Sequence, residues 1–280
     1  MKASSLAAFV TLTMFSGGLG GGLSSAGCSS SDSPDSHATP DAGNTNDHAP
    51  ALTSTGEVVA GKTGTLFGAQ IASFARVAKV DGNEVVHSVG VIVPLAAFTS
   101  APASHPYQDD VVLEMPDIAV EQTIVHHLRA NWLPSGHGPT PYGEAHFDLH
   151  FLRGTIDAID SIQCRANKSK PAADKLPEGY GPPELCVDGS GDHSWPLADK
   201  AAGAKFSASL IMGYWAGNVV FIEPMITKSR LMQKQTFEMA IPKPASAGGE
   251  RTLYPTHMTA RFDEANESYT FEFDQLEPID

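Results

Sequence analysis

The sequence predicts a mainly β protein, an antiparallel barrel or sandwich with short helical segments and long loops. Three observations predict it. Alternating apolar segments of strand length recur from Phe67 to Leu276, several of them paired around turn residues. Twenty prolines and 26 glycines punctuate the chain too densely for long helices. Strands joined in sequence by short turns pair antiparallel, and several such hairpins make a sandwich or barrel.

The strands follow in order. Residues 67–80 and 84–93 flank Asp81-Gly82-Asn83, residues that tolerate positive φ and signal a hairpin. Residues 123–132 alternate, with Ile124, His126, Leu128, Ala130 and Trp132 on one face. Residues 206–214 and 219–223 surround a second turn at Trp215-Ala216-Gly217-Asn218. Residues 254–262 and 269–276 form a third hairpin across 263–268. Residues 95–98 and 228–235 are read as short helical pieces.

Ahead of these strands the chain has a different character. Lys2 is the only charge before Asp32, and an apolar run at 6–15 leads to Ser25-Ala26-Gly27-Cys28. A basic start, a short greasy core and small residues before a cut site mark a secretory signal. The greasy core is too short to span a hydrocarbon layer of about 30 Å as a helix. Small residues directly before Cys28 resemble a bacterial lipobox, with Ser25 where leucine is usual. Residues 1–27 are therefore read as a lipoprotein-type signal, with Cys28 the lipidation site. An ordinary signal cut near Ala26 is the alternative. Residues 28–55 contain hardly a large side chain, so they cannot bury enough surface to offset the entropy of ordering. They read as a Ser/Asp/Pro-rich tether, with His37 and His48 solvated. Residues 56–280 are read as one β-rich domain, on an exported, membrane-anchored protein whose sorting places it at the outer membrane or the periplasmic face.

With 32 acidic against 18 basic side chains the net charge is −14, which argues against a nucleic-acid partner. Cys164 and Cys186 lie in a polar, proline-rich stretch, 22 positions apart. An oxidising compartment lets them pair, and the disulfide would fasten the loop that carries His193. No Cys-x-x-Cys pair supports a thiolate metal site. There is neither a Gly-x-Ser-x-Gly elbow nor a phosphate loop.

The most informative stretch is 143–151. On a strand, His146, Asp148 and His150 share one face, while Phe147, Leu149 and Phe151 share the other. The second face suits a core. At about 3.3 Å per residue, His146 and His150 lie roughly 13 Å apart, too far to share one ion on a regular strand. Either Asp148 joins one of them, or a bulge draws them together, or one supports the other from outside the ligand shell. His137 sits within a Gly/Pro-rich loop, His193 sits on another loop before Trp195, and Glu223 interrupts an apolar run. A buried carboxylate needs a partner, a metal or a raised pKa. The neighbours His126 and His127 face opposite ways, and His87, His105 and His257 stand alone.

These segments also carry a resemblance. Asn131-Trp132 with Gly136-His137-Gly138-Pro139, then residues 145–151, then Asp192-His193-Ser194-Trp195, and finally Glu223-Pro224-Met225-Ile226-Thr227 occur in the order seen in a family of uncharacterised bacterial proteins. Over residues 61–276 the chain resembles this domain-of-unknown-function family, whose structural representative is an oligomeric protein from a thermophile. It departs at Leu133 and in its loop cysteines. The family brings no assigned reaction; the resemblance implies a shared fold and site, and a homo-oligomer.

Two functional classes follow. In the first, His146, His150, His193 and Glu223 bind a divalent transition metal, with His137 and Asp148 as supporting groups and hydrolytic or oxidative chemistry as the use. In the second, the domain is a non-catalytic envelope binding or assembly module without metal, and the same cluster holds a small organic ligand or orders the loops.

Overall fold

The computed structural model describes residues 56–280, so the expected signal, tether and Cys28 lipidation site lie outside the described residues. Two open antiparallel sheets face each other as a sandwich, and neither closes into a barrel. The first sheet begins as a meander of β1 (Glu57–Leu66), β2 (Ala69–Val80) and β3 (Asn83–Pro94). Next in the chain come α1 (Leu95–Thr99), β4 (Val111–Glu114), α2 (Asp117–Gln122), β5 (His127–Leu133), β6 (His146–Leu152) and α3 (Ile156–Asp160). After a long loop follow β7 (Leu185–Val187), β8 (Gly191–Ser194), β9 (Ala208–Trp215), β10 (Asn218–Thr227) and α4 (Lys228–Leu231). The chain ends with β11 (Phe237–Ala240), β12 (Thr252–Asp263) and β13 (Ser268–Ile279). One sheet has the order β1-β2-β3-β13-β12-β11, and the other β4-β5-β6-β10-β9-β8-β7.

The three expected hairpins form, and their turn chemistry is visible in the backbone. Asp81 and Gly82 have φ of 52° and 82°, and Ala216 and Gly217 have 50° and 80°. Positive φ at both central residues matches the twist of the flanking strands. Phe67 and Gly68 make the same turn, at 46° and 84°. The strand expected from Phe67 therefore starts at Ala69, and β1 precedes the turn. The strand expected over 123–132 starts instead at His127, because Thr123 ends α2 by donating its hydroxyl to the Ala119 carbonyl at 2.8 Å.

The core lies between the sheets. Val89, Val91 and Val93 of β3 and Tyr269, Phe271 and Phe273 of β13 alternate inward from one side. Leu128, Ala130 and Trp132 of β5 and Phe147, Leu149 and Phe151 of β6 do so from the other. The layers meet at aromatic pairs: the Phe151 and Phe273 ring centroids are 4.4 Å apart, and Phe98 packs edge-on against Phe147 at 4.9 Å.

The outer face of the seven-stranded sheet is covered too. Tyr142, Trp195 and Phe206 roof it, in one apolar cluster with Ile211, Phe221 and Met225 of the sheet itself. In consequence every residue of β6 is buried, on both faces. Cys164 and Cys186 are joined as a disulfide, with a Cα separation of 5.8 Å, as the sequence leads one to expect. Among the described residues no helix is long and apolar enough to cross a membrane.

Candidate metal centre

The polar residues of β6 sit beneath this roof. The two faces of the strand divide as the alternation demands, with Phe147, Leu149 and Phe151 in the inter-sheet core and His146, Asp148 and His150 on the outer face. That outer face is not solvated: the three polar residues are at most 3 % exposed.

The expected four-residue set divides in two. His150, His193 and Glu223 bring one ligand atom each to within 4.8 Å of one another, and His137, His146 and Asp148 do the same beside them. His146 therefore does not join His150. The cause is the regularity of β6, which pairs residue for residue with β5 from Leu133–His146 to His127–Leu152 without a register shift. No bulge shortens the distance between the two histidines, so each end of the stripe collects its own partners.

The first group is assembled from three strands. The register that pairs Ile222 with Phe151 and Met225 with Asp148 sets Glu223 beside His150. Between those pairs the ladder is interrupted, where Pro224 has no N–H to give. Strand β10 nevertheless continues through Pro224 to Thr227, beyond the end at Glu223 expected from sequence. His150 Nε2 lies 3.4 Å from Glu223 Oε1. His193 enters from β8, held by a hydrogen bond from its Nδ1 to the Gly191 carbonyl at 3.0 Å. A carbonyl only accepts, so Nδ1 carries the proton and Nε2 keeps a free lone pair. Phe221 packs edge-on against both imidazoles, with its ring 5.0 Å from His150 and 4.9 Å from His193. Gly213, opposite both His193 and Phe221, makes this possible, since a Cβ there would come within 2.0 Å of the Phe221 ring.

Burial dominates the electrostatics. It pushes His150 down to about 3 and His193 down to about 4. It also raises Glu223 well above the usual carboxylate range, with the charge of Asp148 adding to the effect. Glu223 Oε2 and His150 Nδ1 have no hydrogen-bond partner.

In the second group, His146 Nε2 faces Asp148 Oδ1 at 3.0 Å and His137 Nε2 faces Oδ2 at 3.5 Å. Burial raises the Asp148 carboxyl, but the two facing imidazoles outweigh it and hold the group well below its usual range. Burial lowers His137, and the Asp148 carboxylate more than reverses this. His137 is positioned by its loop. Gly136 has φ of +61°, and a Cβ there would meet the Tyr142 carbonyl oxygen at 2.2 Å.

Both groups open on one cavity of about 170 Å³, lined by His137, Asp148, His150, His193 and Glu223 and walled by apolar side chains. Tyr107 and Trp195 also line it, and sequence reasoning gave neither a role there. The buried indole Nε1 of Trp195 lacks a hydrogen-bond partner, a sign that only tertiary structure provides. Three of the other described histidines have local partners. His105 pairs with Asp110 at 2.5 Å and His257 with Asp274 at 2.7 Å. His126 accepts from the Gly154 amide and donates to the Thr123 carbonyl.

Residues 81–132 match the family model described as TTHB210-like, hypothetical protein TTHB210. The chain is thus similar to a family of uncharacterised proteins, over a shorter stretch than the 61–276 implied by its motifs. The match runs from the β2–β3 turn to Trp132 and stops before His137, so it includes no member of either polar group. No curated protein and no solved structure matches the chain.

Proposed function

We propose that this chain is an exported, lipid-anchored envelope protein that holds a divalent transition metal on His150, His193 and Glu223. The observation that carries the reading is the convergence of these three ligand atoms, within 4.8 Å of one another, in a buried pocket where Glu223 Oε2 lacks a hydrogen-bond partner. A buried polar group left unpartnered costs about 1–3 kcal/mol, and a cation would relieve all three at once. Around a zinc ion bound at about 2.1 Å, tetrahedral ligand atoms lie about 3.4 Å apart. The His150–Glu223 separation of 3.4 Å suits such a shell. Two imidazoles and a carboxylate fit zinc, iron, cobalt or manganese.

Three protein ligands leave a position open toward the cavity, the arrangement of reactive rather than purely structural sites. A metal bound there would act as a Lewis acid toward a small ligand. The apolar walls favour an organic ligand, which also supports the second reading, a binding module without metal. Export and anchoring rest on the signal-like N-terminus and Cys28. The disulfide is compatible with an oxidising compartment.

Elemental analysis of the purified full-length protein tests the reading. Bound metal that survives gel filtration and falls by one ion per chain in Glu223→Gln and in His193→Asn is the expected result. Metal retention that ignores both substitutions would overturn it.

A further inference from the structure

We infer that His137, His146 and Asp148 form a second divalent-metal site opening on the same cavity. The inference goes beyond the first site and stands on its own three residues. His146 and Asp148 are two positions apart on the outer face of β6, which sets their side chains next to each other. The loop between β5 and β6 brings His137 back over them, with its ring centroid 4.8 Å from that of His146.

The hydrogen bonds behind the two imidazoles decide what they present in front. His146 Nδ1 donates to the Glu144 carbonyl at 2.6 Å, and His137 Nδ1 donates to the Gly138 carbonyl at 2.7 Å. With Nδ1 holding the proton of the neutral ring, loss of the second proton leaves each Nε2 lone pair directed at the carboxylate of Asp148. In that state two lone pairs and a carboxylate converge with no donor among them. His146 Nε2 and Asp148 Oδ1 are buried and without a hydrogen-bond partner, although only 3.0 Å apart. Protons on the rings satisfy the imidazole–carboxylate contacts one at a time, at the cost of burying imidazolium charge. A cation satisfies all three groups together.

The dimensions agree with a cation. The separations of 3.0 and 3.5 Å bracket the edge of about 3.4 Å expected between ligands at zinc-like bond lengths. The backbone carbonyls fix each ring from behind, as outer partners of metal-bound histidines do. Phe206 packs edge-on against His146 at 5.1 Å and closes the side away from the cavity. Asp148 and His150 are themselves two apart on the same face of β6. The pocket thus carries one metal position at each end of the His-x-Asp-x-His stripe.

Stoichiometry tests the inference. Full-length protein stripped with chelator, reloaded with zinc and passed through gel filtration should retain two ions per chain. His146→Asn and His137→Asn should each retain one, and Glu223→Gln should also retain one, at the other site. His137 is about one-third exposed on a loop, so its variant reports even if His146→Asn does not fold. One ion in the wild type, lost in Glu223→Gln but kept in both histidine variants, would overturn the second site and leave the first standing. One ion lost in His137→Asn but kept in Glu223→Gln would uphold the second site against the first. No retained zinc, or two ions indifferent to His137 and His146, would overturn the inference.

Discussion

Glu223 of β10 lies beside His150 of β6 at 3.4 Å, where the backbone ladder between their strands is interrupted. The carboxyl thus occupies the one stretch of this strand pair that Pro224 leaves unladdered, and no hydrogen bond reaches its Oε2. Such a group is costly to the fold without a cation. Glu223→Met, which keeps a similar volume and removes the unpartnered polar group, should stabilise the metal-free protein by about 1–3 kcal/mol. In excess metal the order should reverse. Urea unfolding with and without chelator measures both, and a variant less stable than wild type in chelator would refute the claim.

Gly213→Ala should disturb the site without touching a ligand. Its Cβ would come within 2.0 Å of the Phe221 ring, which lies against both His150 and His193. Overpacking of this kind costs about 1–3 kcal/mol. Metal affinity should fall together with stability. A variant as stable as wild type, binding metal equally well, would show that Phe221 does not set the imidazole positions.

The disulfide should act on the site as well as on the fold. Cys186 lies in β7, which pairs with the β8 strand that carries His193. Cys164→Ser with Cys186→Ser opens a loop of 22 positions and should cost about 3 kcal/mol in the chain-entropy model. Alkylation should label neither cysteine until reductant is added. Full labelling of the folded, oxidised protein would count against the bridge.

His126 should make the fold sensitive to acid. Burial lowers its pKa, and its Nδ1 accepts a hydrogen bond from the Gly154 amide at 2.8 Å, which only the unprotonated nitrogen can do. A depressed folded-state pKa gives stability that is full above the unfolded value of about 6.5 and is lost as pH falls below it. His126→Gln should therefore lose less Tm between pH 7 and pH 5 than the wild type does. Equal losses would remove His126 from the account.

The lipid anchor is tested apart from the folded domain. Cys28→Ala should release the protein from membranes and leave its melting curve unchanged. Labelled fatty acid should enter the wild type and not the variant, and its absence from the wild type would refute the anchor while leaving secretion possible.

Legibility from sequence followed the range of the interactions. The Asp81-Gly82 hairpin and the two faces of 146–151 are local matters of turn chemistry and strand period, and both could be read directly. The Phe67-Gly68 turn could not, because phenylalanine at positive φ carries no turn signal. His150, His193 and Glu223 could be named as polar residues in apolar or glycine-rich settings. Their separation from His146 was implicit in the strand rise, but choosing between two groups and one bulged group required the β5–β6 register. The burial of the whole polar stripe was not legible, since the roof comes from Tyr142, Trp195 and Phe206, the last of them 60 positions beyond His146.

That roof separates two rates. The strand that carries His146, Asp148 and His150 is buried on both faces, so its amides open only when the whole sandwich does. The covering segments are loops, which open more readily. Anything bound in the pocket therefore exchanges with solvent at the pace of the loops. The arrangement of the polar stripe lasts as long as the folded protein.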